Sequence, residues 1–312
     1  MTNATVRADC INRSACMFQR LLICTDFSDG LQRLVNFVPT LAATGVRHLT
    51  FLHCVPLDEG GAIPRVDSEK VDQARKQLGV ASRDVPEGTT VEVVVESGRP
   101  CDLILRVAQA HQAELILLGL ATQNLVAEKL FGSTTRVVYE RTKIPILVVR
   151  TQLISTYTTE ELDLRCRHIF RHLMVPYDGS EAARRVIRSI KELVPAFTPP
   201  VVEACTLCQV LESTERWHLS RQPYIEAAEA TLATVKAELA PLDIKVDTQV
   251  RLGGAVAEVL KACLEPDISA IAVSHNRRNR LLEFSIPSFT VELLRQSWHP
   301  VLYFPPTDAP TS

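Results

Sequence analysis

Aromatic residues are scarce in this chain, at 5% of 312 residues, with only two tryptophans. Packed cores must then be built from Leu, Val, Ile and Ala, a composition that suits a buried parallel sheet. Long apolar runs are also lacking. No stretch reaches the roughly 18 residues of a membrane span, and the opening MTNATVRADCINRSACMFQR has no apolar centre of the signal-peptide kind. A soluble, cytoplasmic protein that does not enter membranes is expected. Neither sign of charge prevails, with 34 basic residues against 36 acidic ones, so nothing points to nucleic acid as a partner. Familiar enzyme motifs are missing as well. GxGxxG does not follow the first strand and GxxxxGK(S/T) is absent, which disfavours a dinucleotide dehydrogenase and excludes a P-loop NTPase. GxSxG and HExxH are absent too.

Cysteine, by contrast, is plentiful: Cys10, Cys16, Cys24, Cys54, Cys101, Cys166, Cys205, Cys208 and Cys263. The odd number, the irregular spacing and settings such as LLICTD read as buried thiols in a reducing compartment. Cys205 and Cys208 form a CxxC within a strand-like run, with no second pair nearby to complete the four ligands of a zinc site. No metal site is expected. His53 in TFLHCV reads as a packed residue, and Glu128 and Lys129 as surface charge.

The length suggests about two domains, and the chain repeats itself accordingly. FQRLLICTDFSDG (18–30) matches FRHLMVPYDGSEA (170–182), which pairs Asp26 with Asp178 and Ser28 with Ser180 at an offset of 152. Further on, ESGRPCDLILRVAQ (96–109) matches RLGGAVAEVLKACL (251–264), ELILLG (114–119) matches SAIAVS (269–274), and PILVV (145–149) matches PVLYF (300–304), all at 155. The change of offset implies a three-residue insertion near the first helix or the loop after it. Each half alternates strands with helices. In the first, strand LLICTD leads to a helix from about Ser28 to Ala43, and later helices run from about Ser68 to Leu78 and from Pro100. This order specifies an α/β fold of two tandem five-stranded parallel-sheet domains, Rossmann-like in layout. The first spans 18–150 and the second 169–306, with 151–168 (TQLISTYTTEELDLRCRH) as a linker too acidic and Thr-rich to be a core strand.

In an open parallel sheet, ligands bind beyond the C-terminal ends of the strands. In the first half those ends carry Asp26, Val55 and Gly119. Gly119 begins GLATQNLVAEKLFGST, whose second glycine, Gly132, opens with Ser133 and Thr134 into a helix. Free backbone N–H groups and the helix dipole favour an anion at such a start, although Ser and Thr also serve there as ordinary N-caps.

Together these features resemble the universal stress protein family in its tandem two-domain form, an adenine nucleotide alpha hydrolase-like fold. The resemblance covers about residues 18–305. Its ATP-binding members carry G-x2-G-x9-G-(S/T) after the fourth strand, an Asp at the end of the first strand and an aliphatic residue at the end of the second. Asp26, Val55, Gly119, Gly132 and Ser133 fall on those positions. Thr122 replaces the second glycine, and Gln123 stands where a basic residue is common. The resemblance implies that Asp26 meets the ribose or adenine and that Val55 meets adenine through its backbone. Gly119 to Gln123 and Gly132 to Thr134 then hold ribose and phosphates. In the second half Asp178, Val210 and Ser288 keep their places, whereas Ser274, Arg277 and Pro287 replace the three glycines. The expected ligand is ATP or AMP, with Mg2+ possible, held mainly by the first half in a regulatory or stress-response role. A nucleotide-free scaffold is the alternative, and slow nucleotide hydrolysis ranks last because no base, nucleophile or metal cluster is placed for it. Single domains of the family pair through their last strands, so PILVV and PVLYF are expected to pair antiparallel within one chain as a pseudo-dimer, and two chains to form a homodimer.

Overall fold

The computed structural model describes residues 17–58, 64–120, 133–194, 201–212, 221–265, 267–275 and 288–306. Its strands are β1 (Arg20–Thr25), β2 (His48–Val55), β3 (Thr90–Ser97), β4 (Leu115–Leu120) and β5 (Ile146–Arg150) in the first half. The second half supplies β6 (His172–Pro176), β7 (Ala204–Leu211), β8 (Lys245–Leu252), β9 (Ala270–Ser274) and β10 (Val301–Phe304). Helices connect them: α1 (Val38–Ala43), α2 (Ser68–Leu78), α3 (Pro100–Ala110) and α4 (Ser133–Arg141), then α5 (Thr151–Thr156) and α6 (Thr159–Arg167) between the halves. The second half adds α7 (Glu181–Leu193), α8 (Gln222–Leu239), α9 (Ala255–Ala262) and α10 (Phe289–Gln296).

The described strands form one sheet of ten, ordered β3-β2-β1-β4-β5-β10-β9-β6-β7-β8. Each half has the same internal order and is parallel throughout. Among the described strands the antiparallel pair is the junction, where Val301 faces Val148, Leu302 faces Leu147 and Tyr303 faces Ile146. This pairing covers the open edge of β5 with that of β10, two edges that would otherwise present unpaired N–H and C=O groups.

Strands such as RLLICT lack polar alternation because both their faces are covered. Leu21 and Ile23 enter one core, with α2, α7 and α8. Leu22 and Cys24 enter the other, beneath α3, α4, α9 and α10. Cys205 and Cys208 divide in the same way, one into each core. Three residues apart on a strand, they point to opposite faces and cannot share a metal. Burial pushes their thiols up, to about 12 and about 11, so both stay protonated and unreactive at neutral pH. The junction is held by aromatic stacking. Tyr303 of β10 lies 4.0 Å from the Tyr139 ring of α4, and its hydroxyl meets His275 Nδ1 at 2.7 Å.

One segment differs from the sequence-based expectation. The single helix from about Ser28 to Ala43 is instead a 3-10 segment, Leu31–Phe37, followed by the short α1. Asp26 and Asp29 cause this. Asp26 Oδ1 accepts from the Ser28 and Asp29 amides, and Asp29 Oδ1 from Leu31 N, which ties the chain into turns where a helix would begin. Pro39, in the first turn of α1, then starts a helix rather than continuing one. The matching turn in the second half is simpler. Ser180 caps α7 by accepting from Ala183 N at 3.2 Å, and thirteen helical residues follow. The linker 151–168 holds no strand and folds as α5 and α6. A capping box at Thr158 and Glu161 starts α6. Ile154, Leu162 and Cys166 are buried in the core on that side of the sheet.

Candidate functional site

Two equivalent places, one per half, lie beyond the C-terminal ends of the strands. In the first half, protein groups fill the described part of this place. Asp26 ends β1 as expected, but its Oδ1 is occupied by Ser28 N at 2.8 Å, Ser28 Oγ at 2.7 Å and Asp29 N at 3.0 Å. The next residue, Phe27, has φ of 65°, a costly conformation for a bulky side chain. Its ring lies 4.3 Å from that of His53, over the ends of β1 and β2. Val55 is buried, and its carbonyl accepts from Gly98 N at 3.2 Å.

Gly119 is crowded. A Cβ built on it would come within 2.8 Å of Asp29 Cβ, 3.0 Å of Asp29 Oδ2 and 3.0 Å of Thr151 Cγ2. The group that needs this glycine is therefore the side chain of Asp29. Gly119→Ala is expected to destabilise the chain by about 1–3 kcal/mol through overpacking, a loss that a denaturant titration measures. Asp29 is 5% exposed. Thr25 Oγ1 donates to it at 2.8 Å and Leu31 N at 2.9 Å. Desolvation, assisted by neighbouring Asp26, still pushes its carboxyl up to about 6. Ser133 and Thr134 open α4. Thr122, Gln123 and Gly132 lie outside the described residues.

The second half is open. A cleft of about 370 Å³ lies between the ends of β6, β7 and β9 and the starts of α7, α9 and α10. Asp178, Val210 and Ser288, all expected from the sequence, line it together. Asp178 Oδ1 accepts from Ser180 N at 2.9 Å. Ser288 caps α10 by accepting from Val291 N at 3.4 Å. The amides of Phe289 and Thr290, residues that also line the cleft, form the first turn of that helix. Arg277 lies outside the described residues.

Sequence reasoning did not single out Arg185, which is 7% exposed on α7. Its Nη1 donates to Ser274 Oγ at 3.1 Å and to the His275 carbonyl at 3.3 Å, both residues of the cleft wall. Among the described residues its Nε has no hydrogen-bond partner and no carboxylate forms an ion pair with it. A buried guanidinium is costly unless paired, so this one marks a place suited to an anion. The repeat contained a signal for it. Arg185 stands 152 residues after Arg33, which instead donates to the carbonyls of Ile154 and Tyr157 at the end of α5. The two strand-end glycine positions thus differ in charge, with the Asp29 carboxylate against Gly119 and the Arg185 guanidinium against Ser274.

Among the described residues no cluster of His, Cys, Asp and Glu is arranged to hold a metal ion, and no helix is long and apolar enough to cross a membrane. No curated protein matches the chain. Solved structures do. A universal stress protein from Archaeoglobus fulgidus is 18% identical, over 94% of this chain and 97% of that one, with a TM-score of 0.65. A putative universal stress protein from Pseudomonas aeruginosa is 14% identical, over 93% and 94%, with a TM-score of 0.58. These likenesses show a shared fold. The model of the universal stress protein family matches residues 17–150 and again residues 169–305. The chain belongs to the universal stress protein family, with two copies of its domain in tandem.

Proposed function

We propose that this chain binds an adenine nucleotide, ATP or AMP, in the cleft of its second half, and that occupancy of the cleft serves a regulatory role in a stress response. The observation that carries this reading is the cleft of about 370 Å³, whose wall residues Ser274 and His275 accept from the buried guanidinium of Arg185 behind them. Asp178 has one carboxylate oxygen engaged by its own turn, which leaves Oδ2 to accept from a ribose hydroxyl. Val210 supplies an apolar wall. Phosphate meets the start of α10 and the field of Arg185. The site residues expected in the first half, from Asp26 to Thr134, form the lesser site in this reading. There Phe27 and His53 cover the strand ends, and the Asp29 carboxylate repels phosphate. Mg2+ enters only as a companion of the phosphates, since no described acidic cluster would hold it alone.

Calorimetric titration of the whole chain with ATP and with AMP tests the proposal. One saturable site is expected. Asp178→Ala should weaken binding about tenfold, the usual scale for one lost charge-assisted hydrogen bond, and Asp26→Ala should leave it unchanged. The reverse pattern moves the site to the first half. Absence of saturable binding leaves the scaffold reading, which Asp29 already favours for the first half. The remaining proposals are domains at 18–150 and 169–306, a homodimer and a cytoplasmic location. The seven described cysteines are all free thiols, which supports a reducing compartment, and a mass measurement in solution decides the assembly.

A further inference from the structure

A second cavity, of about 280 Å³, lies on the opposite side of the first half from α3 and α4, under the two linker helices. Its floor is Leu117 and Val149 of the sheet, its walls include Leu34 and Leu153, and Trp298 stands at its rim. The lining is apolar apart from its mouth, where Arg150, Arg165 and His299 gather and no lining residue is a carboxylate. Arg150 is committed. It donates to the carbonyls of Ser297 at 2.8 Å, Leu294 at 3.2 Å and Arg295, and Trp298 stacks on it at 5.7 Å. The nearby acids are also engaged. Glu161 caps α6, and Asp163 accepts from Thr40 and Arg167. Arg165 is different. It lies over the Tyr157 ring at 5.3 Å and makes no hydrogen bond or ion pair with any described residue. Burial and Arg165 both push the His299 imidazole down, so at neutral pH the mouth is charged by its guanidiniums.

An apolar chamber closed by an uncommitted guanidinium matches one kind of ligand, because an apolar body gains from the chamber and an anionic head gains from the arginine. We propose that this cavity binds a small amphipathic carboxylate, its apolar body against Leu117 and Leu153 and its head on Arg165. The proposal is independent of the nucleotide reading. It also has a path to the strand-end site of the first half, since Leu31 lines the cavity and its amide holds Asp29.

Octanoate is the test ligand, titrated calorimetrically into the whole chain, with octanol as the uncharged control. Saturable binding of one octanoate is expected, with octanol at least about tenfold weaker, as loss of a charge-assisted contact implies. Arg165→Gln should weaken octanoate about tenfold and leave octanol unchanged. Because Arg165 is exposed and makes no bond to a described residue, this variant should unfold as wild type does. Leu153→Trp should fill the chamber and abolish the binding of both compounds. Octanoate that fails to saturate, octanol that binds as tightly, or an Arg165→Gln variant with unchanged affinity would each overturn the proposal.

Discussion

Tyr303→Ala is expected to destabilise the chain by about 3–5 kcal/mol, the range for removing a large buried aromatic ring. Tyr303 is fully buried and ranks among the largest such side chains. It pairs with Ile146 across the antiparallel junction, stacks on Tyr139 from the first half and meets His275 through its hydroxyl. The cavity left by alanine would open where the two halves join, so the loss should also be visible as reduced cooperativity. Chemical denaturation should change from one transition toward two, with the halves unfolding at different midpoints. Tyr303→Phe keeps the ring and its stacking but removes the 2.7 Å hydrogen bond to His275. That variant should lose only about 1 kcal/mol and keep a single transition. A Tyr303→Ala loss below about 1 kcal/mol would show that the ring is not what joins the halves.

The second large effect concerns Asp29 and depends on pH. Its carboxyl is pushed up from an ordinary 3.8 to about 6 by burial. Between those values the folded chain binds more protons than the unfolded one, so stability falls as pH rises through this window. Above it the burial of the charge costs at most about 3 kcal/mol, two pKa units at about 1.4 kcal/mol each. Asp29→Asn removes the charge while its amide oxygen keeps the acceptor for Leu31 N. The variant should match wild type below about pH 4 and be more stable by about 2 kcal/mol at pH 8. The informative measurement is the difference between the two stability-against-pH curves, in which other titrating groups cancel. A flat difference would refute the burial cost. If the first half can accept a phosphate at all, the same substitution should strengthen ATP binding there, because the repelling carboxylate is gone.

The strands were legible in the sequence because their apolar runs are continuous, as burial on both faces demands. LLICTD and ELILLG contain most of β1 and most of β4. The repeat was equally legible, and the family resemblance implied the antiparallel pairing of PILVV with PVLYF. Local competition was harder to see. Nothing in SDGLQRLVNF announces a 3-10 segment until Asp26 and Asp29 are seen to take the amides that would start a helix. The linker read as a plain connection because its buried residues, Ile154, Leu162 and Cys166, are too sparse to make a strong pattern. The decisive charges were least legible. Asp29 matters through a glycine 90 positions away, and Arg185 through a serine 89 away. Either would pass for a solvated residue in its own segment. The helical pattern did hold a clue for Arg185. It lies three residues from buried Ala182 and next to buried Val186, on the face that packs against the sheet.

The junction between β5 and β10 also sets the order in which this protein can mature. Leu147 meets a partner, Leu302, that is translated about 150 residues later. At roughly 5–20 residues per second, the edge of β5 waits on the order of 8–30 seconds for its cover. During that interval the nascent first half carries an unpaired apolar strand, ILVVR, bounded by Pro145 on one side and Arg150 on the other. Polysomes place several such edges near one another, and chain-to-chain pairing through β5 competes with the intended partner. The two halves therefore protect each other only once β10 has been made. Truncation anywhere between them leaves β5 without its cover.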